Sequence, residues 1–215
     1  KVLHKDINPL FDGHGPNPKK ENLTELRDTV RSAGADLGLA TDGDADRFGI
    51  IDSDGSYISA DNVLVLILDH LLKTRKYAGG VVRSITTTHM LDAIAKRYKR
   101  PVYEVLVGFK YVGSAVLEKD AVMGGEESGG MTMAGHISDK DGILACLLIA
   151  EIVALRKKSL RELMKELRAE YGRFYNKRMD IRVKPEMKKH ILDKVKNYSA
   201  EKIGGIKINS LLRLK

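Results

Sequence analysis

The chain has 215 residues, enough for one large or two ordinary domains, and its 43% apolar and 31% charged content is that of a folded protein rather than a disordered one. Its longest apolar run, Ile143–Ala150, is eight residues, far short of the ~20 that a membrane-spanning helix needs, and Lys1-Val2-Leu3-His4 carries no signal-peptide core. The net charge of +8 is scattered over helical faces such as Lys157-Lys158 and Lys188-Lys189, with 6% aromatics and no Trp, which argues against a nucleic-acid groove and for a solvated surface that attracts a phosphorylated substrate.

Residues 5–20 read as loop, punctuated by Asn8-Pro9, Gly13, Gly15-Pro16 and Asn17-Pro18. Leu23, Leu26 and Val30 fall at helical spacing, and Gly34 ends that helix. Asp36–Ala40 is a short apolar strand and Phe48–Asp52 the next. The Ser53-Asp54-Gly55-Ser56 turn predicts a hairpin between strands 48–52 and 56–59. Asp61–Leu72 is a strongly apolar helix. Gly79-Gly80 opens a second unit: strand Val81–Ile85, a helix capped by Thr88 and running to Tyr98, strand Val102–Val107, helix Lys110–Glu118 and strand Ala121–Gly125.

Asp139–Lys157 is predicted as a long helix, capped by Ser138 or Asp139, apolar nearly all round and therefore buried. Cys146 lies on it as core packing, and a single cysteine, with no internal partner, predicts a reducing, cytoplasmic setting. Ser159–Tyr171 is an amphipathic helix with Ser159 and Glu162 as its capping box. Beyond Arg173 the chain reads as extended over 174–183, helical over Pro185–Tyr198 and strand over Ile206–Ile208.

Strands that alternate with helices predict an α/β fold: two successive α/β units with mixed, mostly parallel sheets flanked by helices, then a truncated C-terminal α+β segment. The expected divisions are 1–77, 78–176 and 177–215.

The most informative stretch is Asp42-Gly43-Asp44-Ala45-Asp46-Arg47. Three carboxylates at alternate positions disfavour joint ionisation unless a cation sits among them. The small spacers let the backbone wrap, so alternate side chains converge on one hard divalent ion, Mg²⁺ being the natural choice. Arg47 then stands beside the metal as a fixed charge suited to phosphate. A calcium EF-hand reading fails, because Arg47 would fall at the glycine position and Ser53 at the bidentate glutamate.

Gly124-Gly125-Glu126-Glu127-Ser128-Gly129-Gly130 frames two acids and a hydroxyl with glycines, a chemistry that suits vicinal sugar hydroxyls; otherwise it is a strand-to-helix turn. Lys140, read as first-turn, is opposed there by the helix dipole, so it is either solvated or held for an anion; Lys110 also begins a helix between glycines. Ser84-Ile85-Thr86-Thr87-Thr88-His89-Met90 is hydroxyl-rich, but it has no glycine elbow for a serine nucleophile, and His89 reads as an early helix residue.

Together these loops resemble the α-D-phosphohexomutase superfamily, the phosphoglucomutases and phosphomannomutases. PNPxxENL (Pro16–Leu23), DGDADR (Asp42–Arg47), SITTTHML (Ser84–Leu91), GFKYVG (Gly108–Gly113), GEESGG (Gly125–Gly130) and HIxxKDG (His136–Gly142) occur in the family's order. The resemblance implies that Asp42, Asp44 and Asp46 hold Mg²⁺ and that Arg47 assists the reacting group. It implies that Glu126 and Ser128 grip two ring hydroxyls, and that Lys140 and Lys110 lie near the ligand's phosphate or hydroxyls. It also implies a hexose phosphate substrate; the composition and the short apolar runs already argue against a nucleic-acid or a membrane partner.

The family's phosphoserine string and its terminal phosphate-clamp string do not occur in these 215 residues. The expectation is therefore the middle of a mutase, glucose slightly favoured over mannose, inactive without the N-terminal and C-terminal domains that would be its partners. An open strand edge in such a piece predicts self-association. The alternative is a non-catalytic metal- or sugar-phosphate-binding module.

Overall fold

The computed structural model of the chain describes residues 1–13, 15–75, 77–176 and 183–210, in two units that divide after Asn176. The stretch expected to be extended, 174–183, lies mostly outside the described residues. Among the described residues no helix is long and apolar enough to cross a membrane.

The first unit begins with loop and two short 3₁₀ turns, then helix α1 (Thr24–Ala33). Gly34 ends the helix with φ of 59°, a left-handed conformation that carries no Cβ penalty in glycine. Strands β1 (Leu37–Thr41), β2 (Phe48–Asp52) and β3 (Tyr57–Ile58) form a sheet of order β1-β2-β3 that is antiparallel throughout. Parallel pairing is absent from this sheet because the 42–47 loop turns the chain straight back, pairing Thr41 with Phe48. The apolar run of 60–74 becomes helix α2 (Ala60–Thr74), buried over most of its circumference.

The second sheet has order β5-β4-β6-β7. Strands β4 (Val81–Ser84), β5 (Val102–Val105) and β6 (Met123–Gly125) are parallel, and β7 (Met131–Met133) is antiparallel to β6. Helices α3 (Met90–Arg97) and α4 (Phe109–Glu118) connect these strands, and α5 (Gly142–Arg156) and α6 (Leu160–Tyr171) follow β7. The α/β architecture stands, with the parallel strands among the described residues confined to this sheet. Strand β7 was not expected. Strand β5 stops at Val105, leaving Leu106 and Val107 half exposed. At α3 the N-cap position is His89, although the Thr88 hydroxyl still accepts from the Met90 amide at 3.3 Å.

One continuous core runs from Phe48 and Ile50 of β2 through α2 to Leu163 and Leu167 of α6. It crosses the expected division at 77/78 without a break. Helix α2 explains this, since burying it nearly all round takes helices α3, α5 and α6 as well as β2. Helix α5 lies against β1 and β2. It is not buried all round as its composition suggested: Ile143, Leu147 and Leu155 are 54%, 61% and 64% exposed. A helix that is apolar on every side gives no periodicity from which to read the face that packs.

Helix α6 is held at its start from two directions. Ser159 and Glu162 form the expected capping box. Buried Asp52, at the end of β2, also accepts hydrogen bonds from the Leu160 and Arg161 amides at 3.1 and 2.9 Å. Because Asp52 keeps two of the terminal N–H groups satisfied, Ser159→Ala is expected to cost only about 1 kcal/mol in urea unfolding. A loss several times larger would show that the cap, not Asp52, seats the helix.

The second unit contains helix α7 (Pro185–Lys196), with proline in its first turn, and a hairpin of β8 (Lys202–Ile203) and β9 (Ile206–Lys207). Gly204 and Gly205, at φ of 55° and 83°, supply the two positive φ angles that a two-residue hairpin turn demands. The sequence reading found β9 and missed β8.

Candidate active site

The acidic loop is the closed end of the β1–β2 hairpin. Its backbone folds on itself through Asp42 N–H to Arg47 O (3.2 Å) and Ala45 N–H to Asp42 O (3.2 Å), with Ala45 at φ of 60°. The Gly43 amide donates to Pro16 O at 3.2 Å, so the Pro-Asn-Pro segment supports the loop from outside. Asp42 is buried and points inward. Its Oδ1 accepts from the Arg47 amide at 3.0 Å and its Oδ2 from Arg47 Nε at 2.6 Å. Burial works against ionisation of Asp42, but the Arg47 amide and guanidinium outweigh it and hold the carboxyl below the ordinary carboxylate value.

Asp42, Asp44 and Asp46 each offer a carboxylate oxygen, and these atoms lie within 4.8 Å of one another. Asp44 is exposed. Asp46 Oδ2 is paired with Lys140 Nζ. Asp46 Oδ1 is buried without a hydrogen-bond partner, 3.5 Å from Arg47 Nε. Hard oxygen donors converging on one point, one of them orphaned, fit a hard divalent cation.

The Glu-Glu-Ser loop is the turn between β6 and β7, not a strand-to-helix turn. Glu126 N–H bonds Gly130 O at 3.0 Å and Gly129 N–H bonds Glu126 O at 3.1 Å. Glu126 is buried; its Oε1 accepts from the Gly108 amide at 2.7 Å, and the Ser128 hydroxyl stands 3.5 Å from its Oε2. The Thr86 hydroxyl donates to Glu127, and the Ser84 hydroxyl lies 3.4 Å from the same oxygen. The hydroxyl-rich segment therefore braces the Glu-Ser loop and offers no nucleophile arrangement.

Behind it stands a group that the sequence reading missed. Asp61 accepts from the Thr88 amide at 3.1 Å and from Asn176 Nδ2 at 3.0 Å, and Asn176 also donates to Thr86 O at 2.7 Å. Burial, helped by the nearby Glu127 charge, raises the Asp61 pKa in spite of these donors. Its only sequence signal was a lone acid beginning an apolar helix, which the helix dipole accounts for unaided.

The two loops are joined by segment 136–142. Helix α5 starts later than expected: its N-cap is Asp141, which accepts from the Leu144 amide at 2.8 Å. Lys140 therefore precedes the helix and carries no dipole conflict. The Asp141 amide bonds Met131 O at 3.0 Å in β7, and the Gly142 amide bonds Ala45 O at 2.9 Å in the acidic loop. A Cβ on Gly142 would meet Arg47 O at 2.4 Å. Lys110 is placed differently: its ammonium lies 4.8 Å over the ring of Tyr111 and not on either loop.

Burial opposes ionisation of Asp141, but the Leu144 and Ile143 amides and His136 hold its pKa below the ordinary value. A depressed carboxyl contributes stability that is present above its unfolded pKa of ~3.9 and is lost as pH falls through the folded value. Asp141→Ala is accordingly expected to cost about 1 kcal/mol at pH 7. The gap between variant and parent should shrink in urea unfolding at pH 3; an equal gap at both pH values would exclude this role.

The family model described as phosphoglucomutase/phosphomannomutase, alpha/beta/alpha domain II, matches residues 2–55, and that of domain III matches residues 59–171, just over half of the chain. The chain belongs to the phosphoglucomutase/phosphomannomutase family. It is 39% identical over 183 residues to a phosphoglucomutase/phosphomannomutase of Thermococcus kodakarensis, covering 83% of this chain and 39% of that one. It is 35% identical to a phosphoglucomutase of Rhizobium radiobacter, covering 80% of this chain and 32% of that protein. A crystal structure of a phosphoglucomutase/phosphomannomutase family protein from Burkholderia thailandensis superposes with a TM-score of 0.69 at 25% identity, covering 93% of this chain and 42% of that one. The chain thus spans between about a third and two fifths of the length of these two curated relatives.

Proposed function

We propose that the chain is the metal- and sugar-binding part of a phosphohexomutase, which interconverts hexose 1-phosphate and hexose 6-phosphate through a phosphoserine carried elsewhere and a bisphosphorylated sugar. The observation that carries this reading is the junction at Gly142, where the start of one helix ties the acidic loop to the segment beside the Glu-Ser loop. Asp42, Asp44 and Asp46 would hold Mg²⁺, which when bound neutralises charge on a transferring phosphoryl group. Arg47, fixed on Asp42, presents the rest of its guanidinium to phosphate oxygens. Glu126 and Ser128 would accept two sugar hydroxyls, and their pairing lets the sugar be gripped in either orientation. Lys140, and Lys110 after leaving Tyr111, would meet the anionic end of the ligand. The wording of the GEESGG and HIxxKDG segments supports glucose over mannose.

The reading also carries a cytoplasmic setting, negligible mutase activity of the isolated chain, and association through the open edge of β1. Steady conversion of glucose 1-phosphate by the pure chain, or clean monomer elution at high concentration, would count against the last two. The direct test is amide NMR of the chain titrated with MgCl₂ and then with glucose 1-phosphate or mannose 1-phosphate. Signals of Gly43 and Gly129 should both move, each with its own ligand and with glucose 1-phosphate at the lower concentration. Shifts confined to other segments would sink the proposal.

A further inference from the structure

Arg47 and Lys140, both beside the acidic loop, are held very differently. Arg47 is tied to Asp42 through both its amide and its Nε, and Asp42 is buried, so Arg47 cannot leave without orphaning a buried carboxylate. Lys140 reaches the loop through a single contact, its ammonium on Asp46 Oδ2. That oxygen belongs to one of the three side chains whose carboxylates converge. An ammonium and a divalent ion on the same carboxylate repel each other across a few Å, so the two compete for Asp46.

The stem of Lys140 lies across Gly130, close to Phe109. A Cβ added to Gly130 would come within 2.7 Å of Lys140 Cδ, 2.9 Å of its Cγ and 3.0 Å of Phe109 Cδ2. The glycine leaves a track over the Glu-Ser turn along which the lysine crosses to the acidic loop. That track lies over the turn that carries Glu126 and Ser128.

We infer that Lys140 is a stand-in cation for the acidic loop, displaced from Asp46 by the divalent ion and delivered by that displacement to the phosphate of a ligand on the Glu-Ser turn. This rests on the metal and sugar roles proposed above, and adds that the two sites are coupled through one side chain. Linkage makes the coupling reciprocal: metal tightens the phosphorylated ligand by the factor with which that ligand tightens the metal. The lysine is a positioning residue toward the metal and a contact toward the anion.

The test is calorimetric titration of the 215-residue chain with MgCl₂, with and without saturating glucose 1-phosphate, for the parent, Lys140→Met and Lys140→Arg. Lys140→Met keeps a stem of similar length and removes the charge, so its Mg²⁺ affinity without sugar phosphate should rise about ten-fold, within the usual range of coupling factors. Lys140→Arg keeps the charge and should not tighten binding. In the parent, glucose 1-phosphate should strengthen Mg²⁺ binding about ten-fold; in Lys140→Met that enhancement should vanish. The Lys140 side-chain NMR signal should shift when Mg²⁺ alone is added. Unchanged or weaker Mg²⁺ binding by a folded Lys140→Met, or an enhancement that survives in it, overturns the inference and leaves the metal reading intact. Absence of any Mg²⁺ binding that Asp44→Ala removes overturns both.

Discussion

Asp44→Ala is expected to weaken Mg²⁺ binding by about 100-fold or more while leaving unfolding by urea unchanged. The side chain is exposed and its carboxylate is one of three that converge, so a ligand is lost and no packing is disturbed. Even groups that only support metal ligands cost about 10- to 100-fold when removed, and a ligand itself should cost at least the upper end. Asp42→Ala should remove the metal as well, but it should also destabilise the chain by about 3 kcal/mol. It strips the Arg47 amide and guanidinium of a buried carboxylate, and Arg47 keeps only the longer 3.5 Å approach to Asp46. The contrast between neighbouring acids is the point of the experiment. Titration calorimetry and urea unfolding on both variants should separate them; an Asp44→Ala chain that binds Mg²⁺ like the parent would show that the triad is a solvated turn.

Gly142→Ala is expected to cost about 3 kcal/mol and at least about ten-fold in Mg²⁺ affinity, although it adds one methyl group at the start of a helix that should welcome alanine. The added carbon would stand 2.4 Å from Arg47 O and 2.9 Å from Ala45 O. Both are backbone atoms of the acidic loop, so no side chain can swing away to make room. Either the loop retreats or the Gly142–Ala45 hydrogen bond breaks. Gly15→Ala is the control: its nearest neighbour would be Asn22 Nδ2 at 3.9 Å, and its effect should stay within about 0.5 kcal/mol. Similar behaviour of the two variants in unfolding and metal titration would mean that the helix start does not position the loop.

Much of the fold was legible because its signals were local. Gly34 closed α1, Ser159 with Glu162 opened α6, and β2 was found at Phe48–Asp52. Strand β7 was lost because Met131–Met133 is three buried residues with no alternation to betray them. The face of α5 was lost because the helix is apolar on every side, and its start was misplaced because Ser138, Asp139 and Asp141 are all competent caps. At the site, the acidic triad announced itself by spacing. Asp52, Asp61 and Asn176 did not, since each acts on residues far along the chain: Asp52 on Leu160, Asp61 on Thr88, Asn176 on Thr86. Lys140 was singled out for a conflict with a helix dipole that the structure does not contain, and its actual partner is Asp46.

The hydrogen bond from Gly142 to Ala45 and the shared core beneath it carry a mechanical consequence. Because both loops ride on one packed body, the gap between them behaves like the jaw of a fixed spanner. A ligand that touches both loops must match that gap in length.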